Sequence, residues 1–212
     1  MNLQLAEQVV ATARAMNASG INRGSAGNVS VRTETGDGFL VTPTGMDYVG
    51  MQPADIVPMT LAGQWQGTRK PSSEWRFHRD IYLARPEFGA VIHTHSPFAT
   101  ALACQRLDIP PFHYMIARFG GKDIRCADYA TFGSQELSGA ALLALKDRRA
   151  CLLAHHGMIV CGKDTGQALA LAIEFEALCE QYWRVLQIGT PKLLDDEEMA
   201  RVLEKFATYG QQ

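Results

Sequence analysis

No run of about 20 consecutive apolar residues occurs in the chain, so a membrane-spanning helix is not expected. No block of like charges occurs either, and the formal net charge is only -2. Nucleic-acid binding needs a basic face to neutralise phosphates, so it is excluded as a first reading. Cysteine is sparse: five residues, scattered, with no C-x-x-C pair. That excludes a disulfide framework and a thioredoxin-like redox motif, and fits reduced, mostly buried thiols in a cytoplasmic protein. There is no internal repeat, low-complexity tract or linker. The first residues, "MNLQLAEQVVATARAMN", carry Glu7 and Arg14 inside an amphipathic pattern, which reads as a helix and not a signal peptide. No loop matches G-x-x-x-x-G-K-[ST], which argues against a nucleoside triphosphate.

What is present is an ordinary globular balance over 212 residues, with 47% hydrophobic and 20% charged residues. One domain spanning 1–212 is the expectation. Leu3 to Ala18 fits an amphipathic helix ended by Gly20. "NVSVRTETGDGFLVTPTG" alternates like two short strands around a turn at Gly36 to Gly38, and "DIVPMTLAGQWQG" suggests a further strand and turn. "SSEWRFHRDIYLARP" fits a helix with Ser72 or Ser73 as N-cap. "GAVIHTH" fits a strand, and "SPFATALACQ" a helix with Pro97 in its first position. "ELSGAALLALKD" is helical, and "ACLLAHHGMIVCG" is a strand-turn-strand candidate around Gly157. Two helices close the chain, "TGQALALAIEFEALCEQYWRVLQIG" and "DDEEMARVLEKFATYG". Mixed strands and helices, the strands partly sequential, predict an α/β sheet covered by helices.

The histidines raise a sharper question. Strand residues i and i+2 share a face, so His93 and His95 project side by side at a strand end. A second apolar strand, "CLLAHHG", also ends in histidine. Two strand ends could thus supply three imidazoles, and Glu74 in the first turn of a helix could add a carboxylate. Three histidines with an open or carboxylate-filled fourth position suit catalytic zinc. The competing reading is core histidines with satisfied hydrogen bonds. His78 and His113 have no partner pattern and read as structural. "GSAGNVS", "TPTG" and "PSSE" offer backbone N–H groups and hydroxyls that could hold an anion, and Ser72 and Ser73 would sit at a helix N-terminus. Taken singly, each reads first as an ordinary turn or cap.

Joined in order, "GSAGNVSVR", "TPTG", "KPSSEWRFH", "VIHTHS", "HYMIA", "YATFGSQEL", "LLAHHGMIVCG" and "EKFATYG" resemble the class II aldolase/adducin family from near Asn22 to Gly210. The resemblance implies a central, mostly antiparallel sheet flanked by helices, and a homotetramer with sites at subunit interfaces. It implies zinc ligands His93, His95 and His156, with His155 a neighbour of the site. It makes Glu74 both a zinc ligand in the resting site and an acid/base in turnover. Ser25, Gly27, Asn28, Thr44, Gly45, Ser72 and Ser73 match a phosphate cradle. Tyr114 matches a tyrosine at the aldehyde end, and Tyr209 one reaching in from the adjacent subunit.

The implied reaction is reversible cleavage of a deoxy-ketose 1-phosphate to dihydroxyacetone phosphate and an aldehyde. The substrates implied are L-fuculose 1-phosphate, 5-deoxyribulose 1-phosphate or 5-methylthioribulose 1-phosphate. Departures after "TPTG", and Arg118 and Lys122 near the expected pocket, leave the aldehyde side open. Pentulose-phosphate 4-epimerases resemble this family but carry Asp in "SSD" where this chain has Glu74, which favours the aldolase. A dehydratase shares the scaffold. A non-catalytic, adducin-like interaction domain would lack the metal ligands, and all four are present.

Overall fold

Residues 2–208 are described in the computed structural model, and the chain's short apolar runs become its strands. They are β1 (Asn28–Arg32), β2 (Gly38–Val41), β3 (Val57–Thr60), β4 (Ala90–Thr94), β5 (Cys126–Ala127), β6 (Ala150–Leu153) and β7 (Gly157–Gly162). They form one sheet in the order β3-β2-β1-β4-β7-β6-β5. Every pairing is antiparallel except β5 with β6, so the expected mostly antiparallel sheet is found. Pro58, which cannot donate to a ladder, is tolerated because β3 lies at the sheet edge.

The helices are α1 (Leu3–Ala18), α2 (Trp75–Ala84), α3 (Pro97–Cys104), α4 (Gln135–Ala144), α5 (Thr165–Ile188) and α6 (Asp196–Thr208). Strand alternation sorts the core into two layers. Ala90 and Ile92 of β4, with Met158 and Val160 of β7, pack under α1, α3 and α5. Val91 of β4, with Ile159 and Cys161 of β7, packs under α2 and α4. Burial on both faces is why these strands read as continuous apolar runs and not as alternating ones.

Two ends depart from expectation. Neither Ser72 nor Ser73 caps α2. Glu74 holds the N-cap position and its side chain makes no cap bond. The Ser72 hydroxyl accepts the Glu74 N–H instead, at 3.3 Å. The carboxylate is turned under the sheet, so it cannot serve the helix. For α3, Pro97 stands in the first position as expected. Its leading amides are capped from α5: Glu176 accepts from the Phe98 N–H (2.8 Å), the Ala99 N–H (2.9 Å) and the Ser96 hydroxyl (2.7 Å). Cys151, Cys161 and Cys179 are buried, Cys126 is half-buried and Cys104 is exposed, all as free thiols. No helix among the described residues is long and apolar enough to cross a membrane.

A polar joint ties α2 to α4. Asp80 accepts from Arg79 Nε (2.7 Å), the Ser138 hydroxyl (2.6 Å) and the Gln135 amide (2.5 Å). Burial pushes its pKa up, but these hydrogen bonds outweigh it and leave the carboxyl below its ordinary value. A depressed folded pKa adds stability above the unfolded value of about 3.9, and the gain is lost as pH falls through the folded value. Asp80→Asn is expected to cost about 1–3 kcal/mol at pH 7. Urea midpoints should show the gap to wild type closing towards pH 3. An equal gap at both pH values would mean the Asp80 charge is not what stabilises the joint.

Candidate metal centre

β4 runs through the middle of the sheet and carries His93 on the face that α2 covers. There the ring is fully buried, 5.4 Å edge-on from Phe77. His95 follows just past the strand end. Between β6 and β7, His155 takes a left-handed conformation (φ 55°). That twist throws His155 outward, where Arg106 Nε donates to it at 3.2 Å, and turns His156 inward. A left-handed turn residue therefore separates the two histidines. The turn closes tightly because Gly157 has no side chain: a Cβ there would lie 2.3 Å from the Thr94 carbonyl oxygen.

The outcome is a cluster of Glu74, His93, His95 and His156, whose ligating atoms all lie within 4.8 Å of one another. His93 Nε2 is 3.1 Å from Glu74 Oε2 and 3.0 Å from His95 Nε2, and His156 Nε2 is 3.2 Å from Glu74 Oε1. The proton inventory exposes a conflict. The Met158 carbonyl accepts from His93 Nδ1 at 2.9 Å, so the lone pair of His93 lies on Nε2, facing the cluster. Burial, with His93 alongside, pushes the pKa of His95 and of His156 down to about 4, so both are neutral near pH 7. Burial would raise that of Glu74, but His93, His156 and the Asn28 amide more than offset it and hold the carboxyl well below its usual range. Glu74 Oε1 is buried without a hydrogen bond.

Electron-pair donors thus face one another without enough protons between them. One proton could satisfy one contact, not all of them. A divalent cation satisfies every one, and ligands about 2.1 Å from a shared tetrahedral centre stand about 3.4 Å apart, near the spacings seen here. The residues fit a metal.

The three small-residue loops meet beside this cluster. The Thr44 N–H donates to the Lys70 carbonyl (3.1 Å) and the Ser72 N–H to the Thr42 carbonyl (2.9 Å), with Pro43 bridged to Pro71. The Val29 N–H donates to the Thr42 hydroxyl at 3.2 Å, which ties in the third loop. Ser25, Thr44, Gly45 and Ser73 are exposed, and among the described residues the hydroxyls of Ser25, Thr44 and Ser73 find no hydrogen-bond partner. Gly27 and Asn28 differ, because both are engaged inward. The Gly27 N–H donates to Asn22 Oδ1 at 2.9 Å, and its carbonyl accepts from the Tyr48 hydroxyl. A Cβ on Gly27 would lie 2.4 Å from the His93 carbonyl oxygen, so only glycine lets this loop approach β4. Asn28 donates to Glu74 Oε2 at 3.1 Å. Asn22 and Tyr48, which pin the loop, carry no sequence signal of their own.

Tyr114 stacks on His113, with ring centroids 4.9 Å apart. It is half exposed at the start of a 3-10 turn, Tyr114–Phe119, stacked 6.3 Å from Phe206, and it lines a cavity of about 770 Å³ with α6. Tyr209 lies outside the described residues. Arg118 and Lys122 are committed to Glu174 (3.3 Å) and Asp196 (2.8 Å).

With this geometry in place, comparison with known proteins is informative. The family described as Class II Aldolase and Adducin N-terminal domain matches residues 7–183. A 5-methylthioribulose-1-phosphate/5-deoxyribulose-1-phosphate aldolase of Rhodospirillum rubrum is 55% identical over 208 residues, covering 98% of this chain and 93% of that one. An L-fuculose phosphate aldolase of Escherichia coli is 48% identical over 208 residues, covering 98% and 96%. A solved structure of an L-fuculose 1-phosphate aldolase superposes with a TM-score of 0.93 at 36% identity, covering 96% of each chain.

The inward and outward turns of the adjacent histidines give a direct test. Losing a partner of a metal ligand typically costs about 10–100-fold in affinity, and losing a ligand costs more. His156→Ala is expected to weaken divalent-metal binding by at least about 100-fold, measured by competition with a chromogenic chelator, and His155→Ala by less than about threefold. The reverse order would reassign the ligand to His155.

Proposed function

The chain belongs to the class II aldolase and adducin family, and from that premise we propose that it is a zinc-dependent aldolase. Its substrate is a deoxy-ketose 1-phosphate of the L-fuculose, 5-deoxyribulose or 5-methylthioribulose kind, split reversibly into dihydroxyacetone phosphate and an aldehyde. The observation that carries this reading is the buried Glu74 carboxylate converging with His93, His95 and His156 beside loops that expose the hydroxyls of Ser25, Thr44 and Ser73. The names of the relatives support the substrate class.

Zinc, held by these four residues, would supply a Lewis acid that draws charge from the ketose carbonyl and removes any need for a lysine Schiff base. The rest falls to the chain. Hydroxyls of Ser25, Thr44 and Ser73, with Gly45 and Ser72 beside them, receive the phosphate. Asn28 and Gly27 hold that loop against β4 and the carboxylate. Cleavage of the C3–C4 bond leaves its electron pair on C3 and frees the proton of the C4 hydroxyl. That one proton is the one C3 takes. The tyrosine at the aldehyde end receives it as its own phenolic proton moves on through solvent to Glu74, which hands it to C3 and ends ionised as it began. The addition direction reverses the relay. Tyr114 is assigned that end, with Tyr209 reaching in from an adjacent subunit. The exposure of Tyr114 within one chain accords with a site completed in a cytoplasmic homotetramer. Residues 1–212 act as one domain.

The substrate class is tested with a panel of ketose 1-phosphates, following triose phosphate through a coupled dehydrogenase. Release from deoxy-ketose 1-phosphates, abolished by chelation and restored by zinc, is expected. Epimerised or dehydrated product without triose phosphate would replace this reading with an isomerase or a lyase of another kind.

Phosphate recognition makes a separate prediction. A hydrogen bond to a charged group is worth roughly 1.5–3 kcal/mol. Ser73→Ala and Thr44→Ala are each expected to raise KM for the phosphorylated ketose about tenfold or more, with bound metal unchanged. Unaltered KM in both variants would make these loops turns and nothing else.

A further inference from the structure

His78 lies one helical turn beyond Glu74, wholly buried between α2 and the sheet, and the chemistry above does not use it. It belongs to an unbroken line of side chains. Tyr82 OH is 2.8 Å from Ser30 Oγ, Ser30 Oγ 2.7 Å from His78 Nδ1, His78 Nε2 2.5 Å from Asn28 Oδ1, and Asn28 Nδ2 3.1 Å from Glu74 Oε2. Sheet alternation aims Asn28 and Ser30 of β1 at α2, while Val29 and Val31 face the other layer.

The direction of this line follows from its last member. An ionised carboxylate accepts and cannot donate, so Asn28 presents its N–H to Glu74 and its carbonyl to His78. His78 must then carry its proton on Nε2, which leaves Nδ1 to accept from Ser30, and Ser30 accepts in turn from Tyr82. All four hydrogen bonds point towards Glu74. Reversing His78 to its other tautomer would turn the Asn28 carbonyl onto the carboxylate, acceptor against acceptor. We propose that His78 is a positioning residue: held by Ser30 and Tyr82, it fixes the side-chain amide of Asn28, which keeps an N–H donor on Glu74 and aims the carboxylate at the histidine cluster. His93 bears the opposite tautomer, with its proton on Nδ1. Two buried histidines in contact with the same ring of Phe77 are thus set in opposite senses.

This rests on Glu74 serving as a metal ligand and acid/base, so the readouts are chosen to stand without any aldolase substrate. In the full-length ¹⁵N-labelled protein, two-bond ¹⁵N–¹H correlation should show His78 as the Nε2–H tautomer and His93 as the Nδ1–H tautomer, with and without zinc. His78→Gln keeps an N–H near the Nε2 position, and its zinc affinity should stay within about threefold of wild type. His78→Phe keeps the volume and removes both nitrogens, and its affinity should fall about tenfold or more, since partners of metal ligands carry about that weight. Turnover should fall with it while KM for the phosphorylated ketose stays near wild type. Where His78→Phe fails to fold, Ser30→Ala serves. Freed from Ser30, His78 should populate both tautomers and zinc affinity should drop several-fold. A purely packing role predicts unchanged zinc affinity in every folded variant, and that result, or an Nδ1–H tautomer of His78 in the wild type, overturns the proposal. Metal affinity and tautomers that behave as stated in a protein releasing no triose phosphate would support the positioning role while overturning the aldolase reading.

Discussion

Four electron-pair donors, Glu74 and His93 buried, His156 half-buried and His95 exposed, meet within 4.8 Å at the end of the central strands, and much of the structure serves to hold them there. Left to themselves such groups repel, and a buried carboxylate without compensation is costly. Rigid neighbours impose the meeting. β4 brings His93 to the sheet's covered face, and the left-handed His155 turns His156 towards it. Gly157 and Gly27 remove the Cβ atoms that would otherwise push the β6–β7 turn and the 24–28 loop away from β4. Glu74 holds the N-cap position of α2 but turns its side chain to the same point, without a cap bond. The helix loses a cap and the cluster gains its carboxylate.

Proton direction ties the cluster to the core around it. The Met158 carbonyl fixes one tautomer at His93. The line from Tyr82 to Asn28 delivers a donor to Glu74 from the opposite side. The exposed hydroxyls of Ser25, Thr44 and Ser73 lie outside both. They stand on loops joined to the ends of β1 and β2 by backbone hydrogen bonds, which hold them at a set position without using the hydroxyls themselves. Exposed hydroxyls held at set positions thus stand beside a buried carboxylate.

Strand ends, the small-residue loops and the long helices were legible in the sequence because each depends on local chemistry. Pro97 opens α3, a turn with Gly36 separates β1 from β2, and α1 runs over the span its pattern predicts. His93 with His95 followed from strand periodicity. The N-cap of α2 was misread because a tertiary demand on Glu74 overrides the local preference for serine at that position. Spacing could not separate His155 from His156, since the deciding feature is a positive φ at a non-glycine residue. His78 read as structural for a similar reason: its partners Ser30 and Asn28 come from a strand far away in sequence. The 3-10 turn Tyr114–Phe119 and the two-residue β5 carry no periodicity long enough to detect. Asn22 and Tyr48 meet Gly27 only once the chain is folded, so neither was legible as an anchor of that loop.

The central claim is that the conflict among Glu74, His93, His95 and His156 is resolved by one divalent metal ion. X-ray absorption at the zinc edge, on protein loaded with one equivalent of zinc, reads the coordination directly. The account predicts three imidazole nitrogens and carboxylate oxygen around each zinc, with no sulfur, and loss of one imidazole contribution in His156→Ala. A shell containing thiolate, or one with fewer than three imidazoles in the wild type, would contradict it.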